Sequence, residues 1–177
     1  ILFSREYQKG KLSRPTSFCI FNGNICVSDR ENDCVQVFDK NIIYKKDIKK
    51  YYDSIFIKRP TSVATIKVKN KYILALLERG DKNENAKIIL FDDRFKFITY
   101  KLFSFLNDPQ GMISFGEEFL CISDTRNRKG LILNKDLKVI NSIKLDFLSD
   151  DPRFLCRVPS LVGDELWFID YKSGLTV

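Results

Sequence analysis

Pro15-Thr16-Ser17-Phe18-Cys19-Ile20-Phe21-Asn22-Gly23-Asn24-Ile25-Cys26-Val27-Ser28-Asp29-Arg30-Glu31-Asn32-Asp33-Cys34-Val35-Gln36-Val37-Phe38-Asp39 decides the fold. Residues 17–21, 25–28 and 34–38 are short apolar-rich runs. Asn22-Gly23-Asn24 is a turn, because Asn-Gly readily supplies positive φ. Residues 29–33 form a polar break. Asp39-Lys40-Asn41 is a second turn, and residues 42–48 make a fourth run. Four short runs joined by tight turns predict an antiparallel meander.

The unit recurs. Cys26-Val27-Ser28-Asp29, with Asn32 following, returns 95 residues later as Cys121-Ile122-Ser123-Asp124, with Asn127 following. Pro15, Pro60, Pro109 and Pro152 are spaced by 45, 49 and 43 residues. The second unit has runs at 63–68, 72–77, 88–91 and 95–102, with a longer polar break at 78–87. The third has runs at 112–115, 119–123, 131–133 and 139–145. The fourth has runs at 154–158 and 166–169 around Gly163-Asp164 and stops before a third. Four strands every 43 to 49 residues predict β-propeller blades. No segment carries a sustained helical period, and residues 47–56 offer at most one helical turn.

This pattern resembles the NHL repeat, whose blade reads Pro, small, an apolar run, Gly, a second run ending in Asp, then Asn, then a run ending Phe-Asp. Pro15, Asn22-Gly23, Val27, Asp29, Asn32, Val37, Phe38 and Asp39 fit it. So do Pro109, Gly111, Gly116, Ile122, Asp124 and Asn127. The second unit keeps Pro60 and Leu90-Phe91-Asp92 but replaces Asp-x-x-Asn with an insertion beginning Glu78-Arg79-Gly80. The fourth keeps Pro152 and Asp170, with Ser173 in place of Asn.

The resemblance implies an all-β fold of four-stranded antiparallel blades that forms part of a six-bladed ring. The 177 residues read as a single partial propeller domain. Its blades are expected at 14–58, 59–107, 108–150 and 151–177, the last incomplete, with 1–13 ending a preceding blade. The chain opens on Ile1 and its one methionine is Met112, so further N-terminal residues are expected to precede it.

Composition bounds the chemistry. Hydrophobic residues make up 44% of the chain, enough to expect a packed core. No apolar run approaches the roughly 18 residues of a membrane-spanning helix. Histidine is absent, which removes the commonest general base and transition-metal ligand. The five cysteines include no Cys-x-x-Cys pair and read as buried small hydrophobes. That usage favours a reducing, cytoplasmic compartment over a periplasmic or secreted one.

Asp29, Asn32, Asp124 and Asn127 read as structural. The carboxylates are placed to accept backbone N–H groups, and the asparagines to adopt left-handed backbone geometry. The loops after the second strands carry Arg30, Arg79, Lys82, Arg126, Arg128, Lys129 and Lys172, which predicts a net positive face. Arg14, Arg59 and Arg153, beside the prolines, should lie near it.

By resemblance, such a propeller is a non-catalytic protein-interaction scaffold or sensor, and the expected partner is a protein. The alternative is an RNA platform, as in the NHL domains of some tripartite-motif proteins. The formal charge of +7 favours it, and the scarcity of loop aromatics opposes it. A third reading is a metal-dependent lactonase or lyase, as in related propellers. The expected first strands carry no Asp, Glu or His, so no metal, cofactor or catalytic residue is expected.

Overall fold

The structure, a computed structural model, describes residues 7–52, 54–81, 84–145, 152–160 and 163–170. The first sheet is β1 (Pro15–Phe21), β2 (Asn24–Asp29), β3 (Cys34–Phe38) and β4 (Tyr44–Ile48). A hairpin follows, β5 (Lys50–Tyr52) with β6 (Ile55–Phe56). The second sheet is β7 (Pro60–Val68), β8 (Lys71–Glu78), β9 (Ala86–Phe91) and β10 (Phe97–Phe103). The third is β11 (Pro109–Phe115), β12 (Phe119–Asp124), β13 (Lys129–Leu133) and β14 (Val139–Lys144), with one 3-10 turn at Thr125–Asn127. β15 (Pro152–Ser160) and β16 (Gly163–Asp170) form a final antiparallel pair.

Every sheet is an antiparallel meander in chain order, as propeller blades are. Each first strand opens on a proline that stands opposite an acid at the end of the second strand. The pairs are Pro15 with Asp29, Pro60 with Glu78, Pro109 with Asp124 and Pro152 with Asp170. The register slips immediately after each proline, where a residue lacking an N–H fits best.

Turn chemistry repeats too. Asn22-Gly23 and Lys69-Asn70 have positive φ at both residues, the geometry that matches strand twist in two-residue hairpins. Between third and fourth strands, Asp39 Oδ1 accepts the N–H groups of Asn41 and Ile43. Asp92 does the same for Arg94 and Lys96, and Asn134 for Asp136 and Lys138. That side-chain grip holds Ile42, Phe95 and Leu137 in left-handed backbone, which their own side chains disfavour.

The pleat turns alternate residues to opposite faces, so each sheet has a leading and a trailing face. Val63, Leu74, Leu76, Ile89 and Phe91 pack back onto Phe21, Cys26, Val35, Val37 and Ile48 of the first sheet. One unit on, Met112, Leu120, Ile122, Leu131 and Leu133 pack back onto Ala64, Ile66, Ala75, Leu77, Ile88 and Leu90. In the first sheet the same positions are Phe18, Ile25, Val27, Gln36 and Phe38, by register. No sheet precedes it among the described residues, and Phe18 is 70% exposed where Val63 is 2% and Met112 1%.

Small polar residues join the innermost strands. Thr16 Oγ1 donates to the Pro60 carbonyl, and Thr61 Oγ1 to the Pro109 carbonyl. Ser62 Oγ donates to the Met112 carbonyl at 2.8 Å, and Ser114 Oγ to the Thr65 carbonyl at 2.6 Å. A bulky side chain at these positions would hold neighbouring first strands apart.

The turn of helix contemplated for residues 47–56 is instead the end of β4 and the β5–β6 hairpin. The two strands place Tyr51 inward, where it is buried against Phe97 and Tyr100 of the second sheet at 5.5 and 5.9 Å between ring centres. Residues 7–13 form no strand. The Lys11 carbonyl turns onto the first sheet and accepts the side-chain amides of Asn32 and Gln36.

Candidate docking face

In the first three sheets the acid opposite the proline acts as a latch on the chain entering its own sheet. Asp29 accepts the backbone N–H groups of Ser13 and Arg14, both at 2.9 Å. Asp124 accepts that of Asn107 at 2.7 Å. Asn32 Nδ2 donates to Asp29 at 2.6 Å and to the Lys11 carbonyl, while Asn127 Nδ2 donates to Asp124 at 2.7 Å and to the Phe105 carbonyl. Burial pushes the Asp124 carboxyl up from the usual range, and the bonds from Asn127 and Asn107 pull it back.

The structural reading of these four residues therefore gains a mechanism and one correction. The asparagines work through their side chains. The left-handed residues are their neighbours, Asp33 and Arg128, each one position further on.

The second unit keeps the latch with different chemistry. Glu78 Oε1 accepts the Lys58 N–H at 3.0 Å, the service Asp29 and Asp124 perform elsewhere. Lys87, from β9, replaces the asparagine as donor at 2.9 Å and also donates to Tyr51 Oη at 3.2 Å. Burial raises the Glu78 carboxyl, and Lys87 opposes that rise.

The latches place arginines close by. Arg30 and Arg79 directly follow a latching acid, and Arg126 lies two positions after Asp124, with Thr125 between. Arg14, Arg59 and Asp108 each precede a first-strand proline. Asp108 is the position where this second series changes sign. It forms ion pairs with Arg79 Nε and, at 3.5 Å, with Arg126 Nε, and accepts Gln110 Nε2 at 2.6 Å.

Two clefts flank this cluster. One, of about 440 Å³, is lined by Arg14, Pro15, Thr16, Arg30, Arg79, Asp108, Gln110 and Arg126. The other, of about 330 Å³, lies among Arg59, Arg79, Glu84, Leu106, Asp108 and Arg126. Burial first, then the positive charges of Arg79, Arg59 and Arg14, hold the Arg30 guanidinium below its ordinary range, with Asp108 opposing. At neutral pH it remains charged. Glu31 pairs with Arg14 at 3.6 Å, and Lys58 with Glu84 at 2.6 Å.

Of the residues singled out from sequence, Arg30, Arg79 and Arg126 come together here, joined by Arg14 and Arg59. Arg128 instead caps the 3-10 turn, and its carbonyl accepts the Leu145 N–H. Lys129 opens β13 opposite Asp124 and Lys144 and lines neither cleft. Lys82 and Lys172 lie outside the described residues, as does the Arg153 side chain. Asp108 and Gln110 were not anticipated. The signal was present in the replacement of arginine by aspartate before the third proline. Among the described residues no three His, Cys, Asp or Glu side chains group as metal ligands, and no helix is long and apolar enough to cross a membrane.

The NHL repeat family pattern matches residues 12–38, which span the first latch and the first three strands. No curated protein matches the chain. Among solved structures it is similar to BBS1N in complex with ARL6DN, at TM-score 0.65 and 10% identity, covering 95% of this chain and 53% of that one. Virginiamycin B lyase from Staphylococcus aureus superposes at TM-score 0.62 and 12% identity, covering 92% and 54%. The RRP9 WD40 repeats do so at 0.59 and 11%, covering 98% and 52%. The chain thus spans about half the length of each. Its fold is that of a partial β-propeller, with an NHL repeat matched at residues 12–38. At these identities the likeness concerns fold alone, and the neighbours include both enzymes and non-enzymes.

Proposed function

We propose that this propeller arc is a non-catalytic interaction scaffold that docks an acidic protein partner on its arginine-bearing face. The observation that carries this reading is that Arg59 lies in the smaller cleft with Asp81 and Glu84, while Arg14, Arg30, Arg79 and Arg126 converge in the larger one around one carboxylate, Asp108. That carboxylate is committed to three donors, which leaves it unsuited to act as a base. In the same reading, the units beginning at 14, 59, 108 and 151 are consecutive blades of a six-bladed ring. One fold neighbour, BBS1N, is itself seen in complex with another protein.

RNA is the second reading, because a positive face attracts phosphates. It is the weaker one. Sequence-tolerant binding of single strands uses aromatic platforms, and no aromatic ring lines either cleft.

The test is affinity purification from native extract with the wild-type chain and with Arg30→Glu/Arg126→Glu. The expected result is a protein partner that is released by salt and absent from the variant, with the variant's circular dichroism unchanged. A partner retained by the variant would overturn the proposal, as would recovery that disappears on ribonuclease treatment.

A further inference from the structure

We infer that the larger cleft receives a phosphorylated side chain of the partner protein. The inference rests on the docking reading above and narrows its ligand. Arg14, Arg30, Arg79 and Arg126 share the cleft with a single acid, Asp108. Asp108 already accepts from Arg79, Arg126 and Gln110. Among the described residues no carboxylate pairs with Arg30, and Arg14 reaches only Glu31, at 3.6 Å. With Asp108 and Glu31 counted, two guanidinium charges remain unmatched.

A phosphomonoester carries about −1.5 to −2 charges near pH 7 and offers three acceptor oxygens. Guanidinium forks match that geometry bidentately. One such group supplies what would otherwise take two carboxylates crowded into about 440 Å³. The surroundings favour a compact anion over a chain of phosphates. Glu31 and Glu84 border the arginines and interrupt any continuous basic track.

The experiment uses three peptide libraries with random flanks and a central phosphoserine, serine or glutamate, passed over the immobilised chain at physiological salt. The phosphoserine library should be retained at least about tenfold better than the other two, and Arg30→Ala and Arg126→Ala should each weaken it about tenfold. Thermal melts of both variants should match the wild type. Lys135→Ala, at a distant surface pair with Glu118, should bind normally. Equal retention of the glutamate and phosphoserine libraries overturns the phosphate assignment while leaving the docking face intact. Retention of neither overturns both. Displacement of bound phosphopeptide by poly(U), itself dependent on Arg30, overturns the assignment in favour of RNA.

Discussion

Glu78 and Lys87 meet at 2.9 Å with side chains only 1% and 11% exposed, where the first and third sheets hold an aspartate with an asparagine. A neutral donor has been exchanged for a cation nine positions along the chain. The longer carboxylate still reaches the backbone it must hold.

Removing one member of that pair strands the other. Glu78→Gln keeps an acceptor for the Lys58 N–H but leaves Lys87 without its counter-charge, and should cost about 3–5 kcal/mol in urea unfolding. Adding Lys87→Met should restore most of the loss. A single variant no worse than an ordinary surface change would show that the pair is dispensable.

The aspartate latches should outrank their asparagines. Asp29 accepts two backbone N–H groups and the side chains of Asn32 and Gln36, so Asp29→Ala should cost about 3 kcal/mol or more. Asn32→Ala should cost about 1 kcal/mol. Asn32→Gly should cost at least as much, because the side chain is what the site uses. A neutral glycine variant would return the residue to a backbone role.

Equivalent positions should respond unequally along the arc. Met112→Ala and Val63→Ala remove buried packing and should cost about 2 kcal/mol or more. Phe18→Ala, in this 177-residue chain, should fall within about 0.5 kcal/mol of wild type. A large loss at Phe18 would mean that its face is covered in solution.

Buried thiols set an alkaline limit. Burial pushes both Cys34 and Cys121 up to about 12, from an ordinary value near 9. Only the unfolded chain ionises them in between, so their stabilising contribution is complete below about pH 9 and is lost as pH climbs towards 12. Cys34→Val/Cys121→Val should flatten the alkaline fall in melting temperature relative to wild type. In native protein at about pH 8.5, iodoacetamide should label neither thiol until urea is added.

Proline spacing and Asn22-Gly23 were enough to read sheets, turns and chain order, because bulged strand starts and two-residue turns are chosen by local chemistry. The latch at Glu78 was hidden. Its partner lies beyond an insertion, and an Asp-x-x-Asn pattern has no place for a cation. The β5–β6 hairpin escaped because Tyr51 is held by Phe97 and Tyr100, contacts more than forty residues away. At the candidate docking face the arginines were visible singly. Their convergence depends on how the first strands of three sheets pack side by side, and Asp108 shows itself only when units are aligned by proline.

The latches are short-range. They join residues 15 to 20 positions apart, from Ser13 and Arg14 to Asp29, Lys58 to Glu78 and Asn107 to Asp124. Each can therefore close once two strands of its own unit exist, before any later unit is made. A chain emerging from the ribosome would fasten itself one module at a time, each module holding its own entrance shut while the next is synthesised.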